Sequence, residues 1–477
     1  MNPYVYKDQL KKECQLRAKK VSTTIYGICY ASVCKSNTNP CNEEERYIIA
    51  CSSNGIICIW DTFMDDAGEL LSSSSCSFGN HSPSFSFKVC DGILYDVKFV
   101  EMTSSSSSLL ITCGECGVYV YCWDDIWSVL SNKNNTTAST FTTKNAATTI
   151  LEMKPISVMH THPTASSVQL PTEVNRISYD EVNSYLYGAS GDFFGGYIWD
   201  INTSSLLGTL GRNTGIKGRV LEQQQHRNSS RHRDGCGYHL NYLHTIKAVS
   251  STHSPSNHLV LTGDDGGKIG IWNGKDQKLI QMIDCKSAIM ECYGNGSGNG
   301  SDGEMTPPIG GKFATSDKDS TLKHINDASM WVSSLDVDES CQWSVIGGGI
   351  EHGHQLMRES SYLSKQLDNG FLALMNLQTR TLCTFGMTYE NIHDVAFNEN
   401  SKRIVSVGNH NAVSFWGHDL SQGRVGHASV SSPSSYTIGI QKAQGGMIAV
   451  GGVGLIIDCY SQFGTKSSTL NFGPSCY

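Results

Sequence analysis

Charged residues are scarce in this sequence, because Asp, Glu, Lys and Arg make up only 17% of its 477 residues. The net charge of -8 excludes an overall basic surface and argues against nucleic acid as the main partner. No apolar run reaches the roughly 18 residues of a membrane span, and residues 1–15 contain no apolar core of a secretory signal. We therefore expect an intracellular protein, with no membrane association and with its 18 cysteines as reduced thiols.

The usual motifs of catalysis and metal binding are also missing. The chain contains no G-x-S-x-G, no H-E-x-x-H and no phosphate-binding loop. Cys113 and Cys116 have the spacing of half a zinc site, but no second pair lies at a suitable distance. His352 and His354 have no carboxylate cluster beside them. The sequence thus predicts a protein that is not an enzyme and that binds no metal and no cofactor.

Glycine, by contrast, is abundant, with 47 residues, and one pattern recurs along the chain. It consists of an apolar run, a turn rich in Gly or Asn, and a second apolar run that ends in a large anchor residue. Clear copies are YIIACSSNGIICIWD, SLLITCGECGVYVYCWD, YLYGASGDFFGGYIWD and HLVLTGDDGGKIGIWN. The last three anchors, Met375, Trp416 and Tyr460, are 41 and 44 residues apart. This spacing matches the ~40–45-residue period of propeller blades.

Further short runs complete each unit to four strands. An upstream run such as ILYDVKFV (93–100) precedes each hairpin, the first being TTIYGICYASV (23–33), and a run such as STLNF follows it. The pattern predicts an all-β, seven-bladed WD-repeat β-propeller over residues 22–477. Polar insertions, which we expect to be loops without periodic structure, interrupt it at 131–172, 213–238 and 286–328.

Three glycines near the end of the chain, Gly451, Gly452 and Gly454, raise the question of a phosphate-binding loop. Such a loop opens a helix, whereas LIIDCYSQF follows here, with β-branched residues and no helical period. We therefore predict a turn between the second and third strands of the last blade. Residues that tolerate positive φ occupy the corresponding turn in other blades. They are Gly55, Gly117, Gly267, Gly370 and Asn411.

Residues 1–21 are predicted to form a short N-terminal helix. Asn2-Pro3 has the form of an N-cap and first helical residue, and neither Gly nor Pro follows within the segment. Tyr6, Leu10 and Arg17 lie roughly on one face of this helix. The helix either folds back on the propeller or is offered to a partner protein, and in the second case these three residues make the contact.

Two aspartates in upstream strands are further candidates for contact with a partner. Asp96 and Asp394 each stand just before a V-x-F pair, in YDVKF and HDVAF. Each is either an exposed contact on the rim or a hydrogen-bond acceptor that fixes a turn. The basic stretch 226–233, in the second insertion, is either a solvated loop or a direct contact for RNA or a partner.

Four runs end in a residue pair that resembles the signature of WD-repeat propellers. The pairs are Trp60-Asp61, Trp123-Asp124, Trp199-Asp200 and Trp272-Asn273. The resemblance implies that each Trp is a buried structural anchor. The chain lacks the Gly-His dipeptide that opens typical repeats, so the His–Asp network of ordinary blades is not expected to carry over.

The chain is similar to the THO complex subunit 6 family in a more specific way. The matching blocks follow the order YDVKF, LLITCGECGVYVYCW, YLHTIKAV, LTGDDGGKIGIW, HDVAF and MIAVGGVGLIIDCYSQFG, and the last is the most distinctive. The resemblance spans nearly the whole chain outside the three insertions. It implies a non-catalytic scaffold subunit of the nuclear THO/TREX assembly, which acts in mRNA processing, mRNP assembly and mRNA export. The propeller would dock on coiled-coil subunits, and RNA association would be indirect.

A second function stays open, that of a substrate receptor of a cullin-4 ubiquitin ligase, docked on its propeller adaptor. Plant members of the same family also resemble that class. Such receptors usually end a strand with W-D-x-R. The fourth positions here are Phe63, Ile126, Asn202 and Lys275, so that one of the four is basic.

Overall fold

The computed structural model contains seven antiparallel sheets arranged as the blades of a β-propeller. It describes residues 23–32, 45–62, 80–102, 107–136, 151–159, 173–191, 195–211, 242–249, 258–294, 328–351, 370–442 and 446–472. The first strands of successive blades contact one another around a central channel. The predicted all-β, seven-bladed propeller is thereby confirmed. The predicted helix over residues 1–21 lies outside the described residues and stays a prediction.

Each blade has four main strands, which run from the channel outward. Blade 1 consists of β1 (Ile25–Ser32), β2 (Glu45–Ser52), β3 (Ile56–Asp61) and β5 (Phe85–Lys88); blade 2 of β6 (Leu94–Glu101), β7 (Ser108–Gly114), β8 (Gly117–Cys122) and β10 (Ser157–Met159); blade 3 of β11 (Val174–Asp180), β12 (Tyr185–Ser190), β13 (Gly195–Asp200) and β14 (Ser205–Gly211); blade 4 of β15 (Leu243–Val249), β16 (Leu259–Asp264), β17 (Lys268–Asn273) and β18 (Lys278–Asp284). Blade 5 consists of β19 (Ser329–Val337), β20 (Trp343–Glu351), β21 (Gly370–Asn376) and β22 (Thr381–Thr388); blade 6 of β23 (Ile392–Asn398), β24 (Arg403–Gly408), β25 (Ala412–Gly417) and β26 (Arg424–Ser429); blade 7 of β27 (Ser435–Ile440), β28 (Ile448–Gly452), β29 (Ile456–Tyr460) and β30 (Lys466–Asn471).

The apolar core is divided among the gaps between blades. Seven clusters of buried side chains each join two neighbouring blades, and the cluster between blades 7 and 1 closes the ring. The three inner strands of each blade have both faces covered and are mostly apolar, whereas an outer strand such as β26 contains only exposed and half-buried residues. Hydrophobic burial therefore fixes each blade against its neighbours rather than around one central core.

Ring closure uses backbone bonds between the two ends of the propeller. Thr24 forms a β-bridge with Val453, and the N–H of Gly454 donates to the carbonyl of Thr23 at 2.7 Å. A two-residue strand, β4 (Asn80–His81), pairs in parallel with β30, so a segment between β3 and β5 of blade 1 extends blade 7. Strand β9 (Leu151–Glu152) extends blade 1 in the same way along β5. Each blade nevertheless takes its four main strands from one stretch of sequence.

Helix α1 (Trp123–Thr136) corrects one expectation, since Trp123 begins this helix instead of ending strand β8. Asp124 and Asp125 stand in its first turn, where the helix dipole favours negative charge, and Ile126 and Leu130 are buried one turn apart. Helix α2 (Cys285–Gly294) lies at the start of the third insertion. Residues 131–136, β9 and β10 likewise give the first insertion more regular structure than expected.

The glycines of the GGVG segment fall into two groups. Gly454 has a φ of +106° in the turn between β28 and β29, which confirms the predicted hairpin, whereas Gly451 and Gly452 belong to β28 itself. Among the other predicted turn residues, Gly55, Gly117 and Gly267 have positive φ. Gly370 and Asn411 do not; Asn411 lies in the predicted turn, between β24 and β25, whereas Gly370 begins β21. A Cβ at Gly370 would lie 2.0 Å from the carbonyl oxygen of Glu390, so close backbone approach accounts for that glycine.

The tryptophan anchors are buried as predicted, and two blades hold the indole by one shared device. Trp272 Nε1 donates to Thr262 Oγ1 at 2.8 Å in blade 4, and Trp416 Nε1 donates to Ser406 Oγ at 2.8 Å in blade 6. The hydroxyl stands two residues beyond the position that pairs with the Trp. The aspartates after the anchors differ in role, since Asp61 pairs with Arg46 and Asp200 accepts from the N–H of Asn202 at 2.9 Å.

Removal of one such hydroxyl should destabilise the protein measurably. Ser406→Ala leaves the buried indole N–H of Trp416 without that acceptor, and we expect a loss of about 1–3 kcal/mol in the free energy of unfolding. In blade 1 the equivalent position is Ala50, and Trp60 Nε1 has no hydrogen-bond partner among the described residues. Ala50→Ser should therefore stabilise by about 0.5–1.5 kcal/mol. Denaturant titration monitored by tryptophan fluorescence measures both; equal small changes in the two variants would contradict the pairing argument.

Candidate functional site: the central channel and its upper opening

Every inner strand carries a β-bulge at the same height. One residue per blade is skipped in the pairing with the second strand, close to where the inner strand begins. The skipped residues are Tyr26, Tyr95, Asn175, His244, Ser333, His393 and Tyr436. A bulge redirects a side chain out of the regular alternation. These seven side chains therefore form one ring at the end of the channel where the inner strands begin, which we call the upper opening.

Below this ring lies a channel of about 610 Å³ lined by charged residues from six blades. Arg176 of blade 3 reaches across to Asp394 of blade 6, with a guanidinium-to-carboxylate distance of 3.2 Å. Asp96 and Lys98 of blade 2 lie 3.3 Å apart. A third pair, Lys247 of blade 4 and Asp336 of blade 5, has a separation of 2.7 Å. Three ion pairs thus lie within the channel.

The two predicted aspartates join neighbouring blades. Asp96 Oδ2 accepts from the N–H of Ile177 in blade 3 at 3.2 Å, and Asp394 Oδ2 accepts from the N–H of Ile438 in blade 7 at 2.8 Å. Asp394 Oδ1 also accepts from Ser334 Oγ of blade 5 at 2.6 Å. Because the inner strand has a free edge, its N–H groups need partners, and the preceding blade supplies them.

This placement differs from both roles that the sequence left open. Asp96 is 1% exposed and Asp394 is 5% exposed, so neither carboxylate lies on a rim, and neither fixes a turn. Each instead links two inner strands and pairs with a channel cation. Direct contact of either aspartate with a partner protein stays a prediction, and the burial of both argues against it. Tyr6, Leu10, Arg17 and the basic stretch 226–233 lie outside the described residues.

Lys98 and Arg176 remain charged within the channel. Burial by itself lowers the pKa of Lys98, but Asp96 and Asp394 outweigh it, and the pKa is raised above the ordinary lysine value. The same balance applies to Arg176, where burial is opposed by Asp394 and Asp96 and the pKa is again raised. Asp96 and Asp394 are therefore neutralised by fixed positive charge. Such an arrangement stabilises the assembled ring and provides no unpaired general base among these residues.

Four of the bulge residues form a continuous aromatic chain at the upper opening. The His393 ring stacks on Tyr436 with centroids 4.5 Å apart, Tyr436 contacts Tyr26 at 5.4 Å, and Tyr26 contacts Tyr95 edge-on at 5.6 Å. The chain spans blades 6, 7, 1 and 2, and so it crosses the junction at which the ring closes. Aromatic contacts of this kind stabilise beyond simple burial.

The remaining bulge residues are polar and are used differently. Asn175 Nδ2 donates to the carbonyl of Leu243 at 2.7 Å, and Ser333 Oγ donates to the carbonyl of Ile392 at 2.6 Å. His244 Nε2 lies 3.0 Å from Asp265. Neither the seven bulge residues nor the cations Lys98 and Arg176 were predicted from the sequence. The bulge residues share one position, two residues before a core apolar residue of the inner strand, and this pattern emerges only when the seven strands are aligned.

Candidate metal sites are absent from the described ranges, where no group of three or more His, Cys, Asp or Glu side chains is placed to hold an ion. The helices described include none that is long and apolar enough to cross a membrane. Cys113 is buried in β7, and burial raises its thiol pKa well above the usual value, which is the opposite of a reactive cysteine.

The fold and the channel together define the class of the protein, a seven-bladed β-propeller with ion pairs at its centre. No family model matches the chain. Over 472 residues the chain is 24% identical to the curated protein THO complex subunit 6 of Arabidopsis thaliana, and the match covers 97% of this chain and 95% of that protein. This similarity confirms the resemblance that the sequence motifs indicate.

Proposed function

We propose that this protein is a non-catalytic subunit of a nuclear THO complex and acts as a scaffold in mRNP assembly and mRNA export within TREX. The observation that carries the proposal is the similarity to a THO complex subunit 6 over 97% of the chain. A propeller of this kind presents rigid loops on two rims and suits docking of other proteins.

The charges of the protein support an indirect association with RNA. The whole chain has a net charge of -8, and three of the channel cations, Lys98, Arg176 and Lys247, are each paired with a carboxylate. Phosphate binding depends on unpaired Lys and Arg and weakens steeply with salt. We therefore expect RNA to reach the protein through other subunits, and we expect partners to include the coiled-coil subunits of the complex.

Affinity purification of the tagged chain from its own nuclei, with RNase treatment and mass spectrometry, tests this function. We expect the other THO subunits in stoichiometric amounts after RNase. Recovery of a cullin and its propeller adaptor in their place would contradict the proposal and favour the ligase receptor. Lys275 would then be the residue to substitute, because it is basic and is exposed beyond β17. Ile126, at the equivalent position of blade 2, is buried in helix α1.

A further inference from the structure

The aromatic chain at the upper opening is bordered by two carboxylates. Glu115 is exposed in the turn after β7, with Oε2 held 3.0 Å from the N–H of Ile93, and Glu173 stands immediately before β11. Burial and then the charge of Glu173 raise the pKa of Tyr95, and Glu115 adds to the effect. The geometry agrees with this shift: Glu115 is hydrogen-bonded to the backbone two residues before Tyr95, and Glu173 directly precedes β11, which packs against the strand β6 that carries Tyr95. Both carboxylates therefore border the tyrosine rings with negative charge.

Several turns around these aromatics are short on their side of the propeller. Between the second and third strands, blades 1, 2, 6 and 7 have turns of only two or three residues, at 53–55, 115–116, 409–411 and 453–455, whereas residues 160–173 join blade 2 to blade 3. Blade 5 has residues 352–369 in the equivalent connection, and 212–242 join blade 3 to blade 4. The side chains of Tyr26, Tyr95, His393 and Tyr436 are all half-buried, so part of each ring faces the opening.

The nearest ionisable groups do not oppose a positive ligand. Burial lowers the pKa of His393, and its Nδ1 lies 2.9 Å from the carbonyl of Ser435, so the ring is the neutral Nδ1–H form at physiological pH. Lys88 of blade 1 is already engaged by the carbonyl of Asn54 at 2.8 Å and by Asp91 at 3.4 Å.

From this surface we infer that the upper opening binds an Arg- or Lys-bearing segment of a partner protein, with the cationic side chain against Tyr26, Tyr95 and Tyr436 and between Glu115 and Glu173. Tyrosine faces attract a guanidinium or ammonium through the ring quadrupole, and the carboxylates add charge complementarity. The same carboxylates would repel a phosphate-bearing ligand, which disfavours RNA at this surface. The inference rests on the proposed function, because it names the surface and the kind of partner segment that a scaffold subunit would use.

Charge-removing variants of the full chain provide the test. Glu115→Gln/Glu173→Gln keeps the shape and the acceptor for Ile93 but removes both charges. Glu339→Gln/Glu399→Gln is the matched control, since these residues line the channel where the inner strands end, at the opposite opening. Tyr95→Leu keeps an apolar side chain and removes the ring. Thermal unfolding of each variant establishes that the propeller is folded.

Overlapping peptides from the proteins that co-purify with the chain serve as probes, each in a second version with citrulline for Arg and acetyl-lysine for Lys. We expect binding that falls about tenfold on neutralising the peptide and about tenfold in Glu115→Gln/Glu173→Gln and in Tyr95→Leu, with no change in the control variant. Peptides that bind equally well when neutralised would overturn the inference, as would a uridine oligonucleotide that competes for the same opening.

Co-purification separates this inference from the proposed function. If THO subunits are recovered equally with the wild-type chain and with both upper-opening variants, and no peptide depends on those residues, the inference fails while the function stands. If THO subunits are absent but basic peptides of other partners need Glu115, Glu173 and Tyr95, the surface is correct and the assignment to THO is wrong.

Discussion

Asp394→Ala should lower the free energy of unfolding by about 3–5 kcal/mol, the largest effect that we expect from a single side chain in the channel. The substitution removes the carboxylate that lies 3.2 Å from the guanidinium of Arg176, whose side chain is only 17% exposed. It also removes the acceptor for the N–H of Ile438 and for Ser334 Oγ. Removing one partner of a buried pair is costly because the remaining charge stays desolvated.

Two further variants separate the charge from the hydrogen bonds. Asp394→Asn lacks the charge and keeps one acceptor oxygen, which can serve the N–H of Ile438, while its NH2 group takes the place of the oxygen that accepts from Ser334. Its effect should therefore lie between that of the wild type and that of Asp394→Ala. Asp394→Ala/Arg176→Met removes both charges and should be less destabilised than Asp394→Ala alone. Denaturant midpoints from tryptophan fluorescence give the comparison, with the exposed Asp91→Ala as a control expected to change stability by less than about 0.5 kcal/mol. A double variant as unstable as the sum of the single ones would show that the two residues act independently.

The blade count could be predicted because it depends on local pattern. Anchors such as Trp416 and Tyr460 recur at a fixed period, and each blade is one continuous stretch of sequence. The channel could not be predicted in the same way. Arg176 and Asp394 are 218 residues apart, and nothing local indicates that blades 3 and 6 face each other across an opening. The aspartates were found as a repeated motif, but their partners depend on the closed ring.

The bulges and helix α1 were missed for a different reason. A bulge adds one residue to one strand. At Tyr26 and Tyr95 this extra residue precedes the apolar run, so the run itself keeps its pattern and gives no sign of the bulge. At Trp123 the Trp-Asp signature favoured a strand end. The competing helical signal, acidic residues at 124–125 followed by Ile126 and Leu130, is only one turn long and is easily overlooked.

Four of the seven bulges face a glycine in the second strand. Four blades carry a glycine opposite the residue that precedes the bulge, and a Cβ there would lie 1.8–2.0 Å from a carbonyl oxygen at the start of the inner strand. These glycines are Gly114, Gly348, Gly408 and Gly452. Ser52, Ser190 and Asp264 stand at this position in the other three blades. The close approach is therefore a local property of each blade.

Gly452→Ala should consequently destabilise the protein by about 3 kcal/mol or more, at or beyond the upper end of the usual cost of overpacking. The new Cβ would lie 2.0 Å from the carbonyl oxygen of Ser434 and 2.6 Å from the Cα of Ser435. Both are backbone atoms and cannot move as a side-chain end would. The strain falls on β27, which packs against β1 where the ring closes, so we also expect faster proteolysis near both termini of the propeller.

Two matched glycines give the scale for this effect. Gly454→Ala has open space but a φ of +106°, so it should cost about 1–2 kcal/mol from backbone strain alone. Gly426→Ala, in outer strand β26, has nothing within 4 Å and should be neutral or stabilising by up to about 1 kcal/mol. Thermal and denaturant unfolding rank the three variants. If Gly452→Ala were as mild as Gly454→Ala, blade 7 would have relaxed to the spacing of blade 1, where Ser52 is accommodated, and the close approach would be a preference of the sequence rather than a requirement of the bulge.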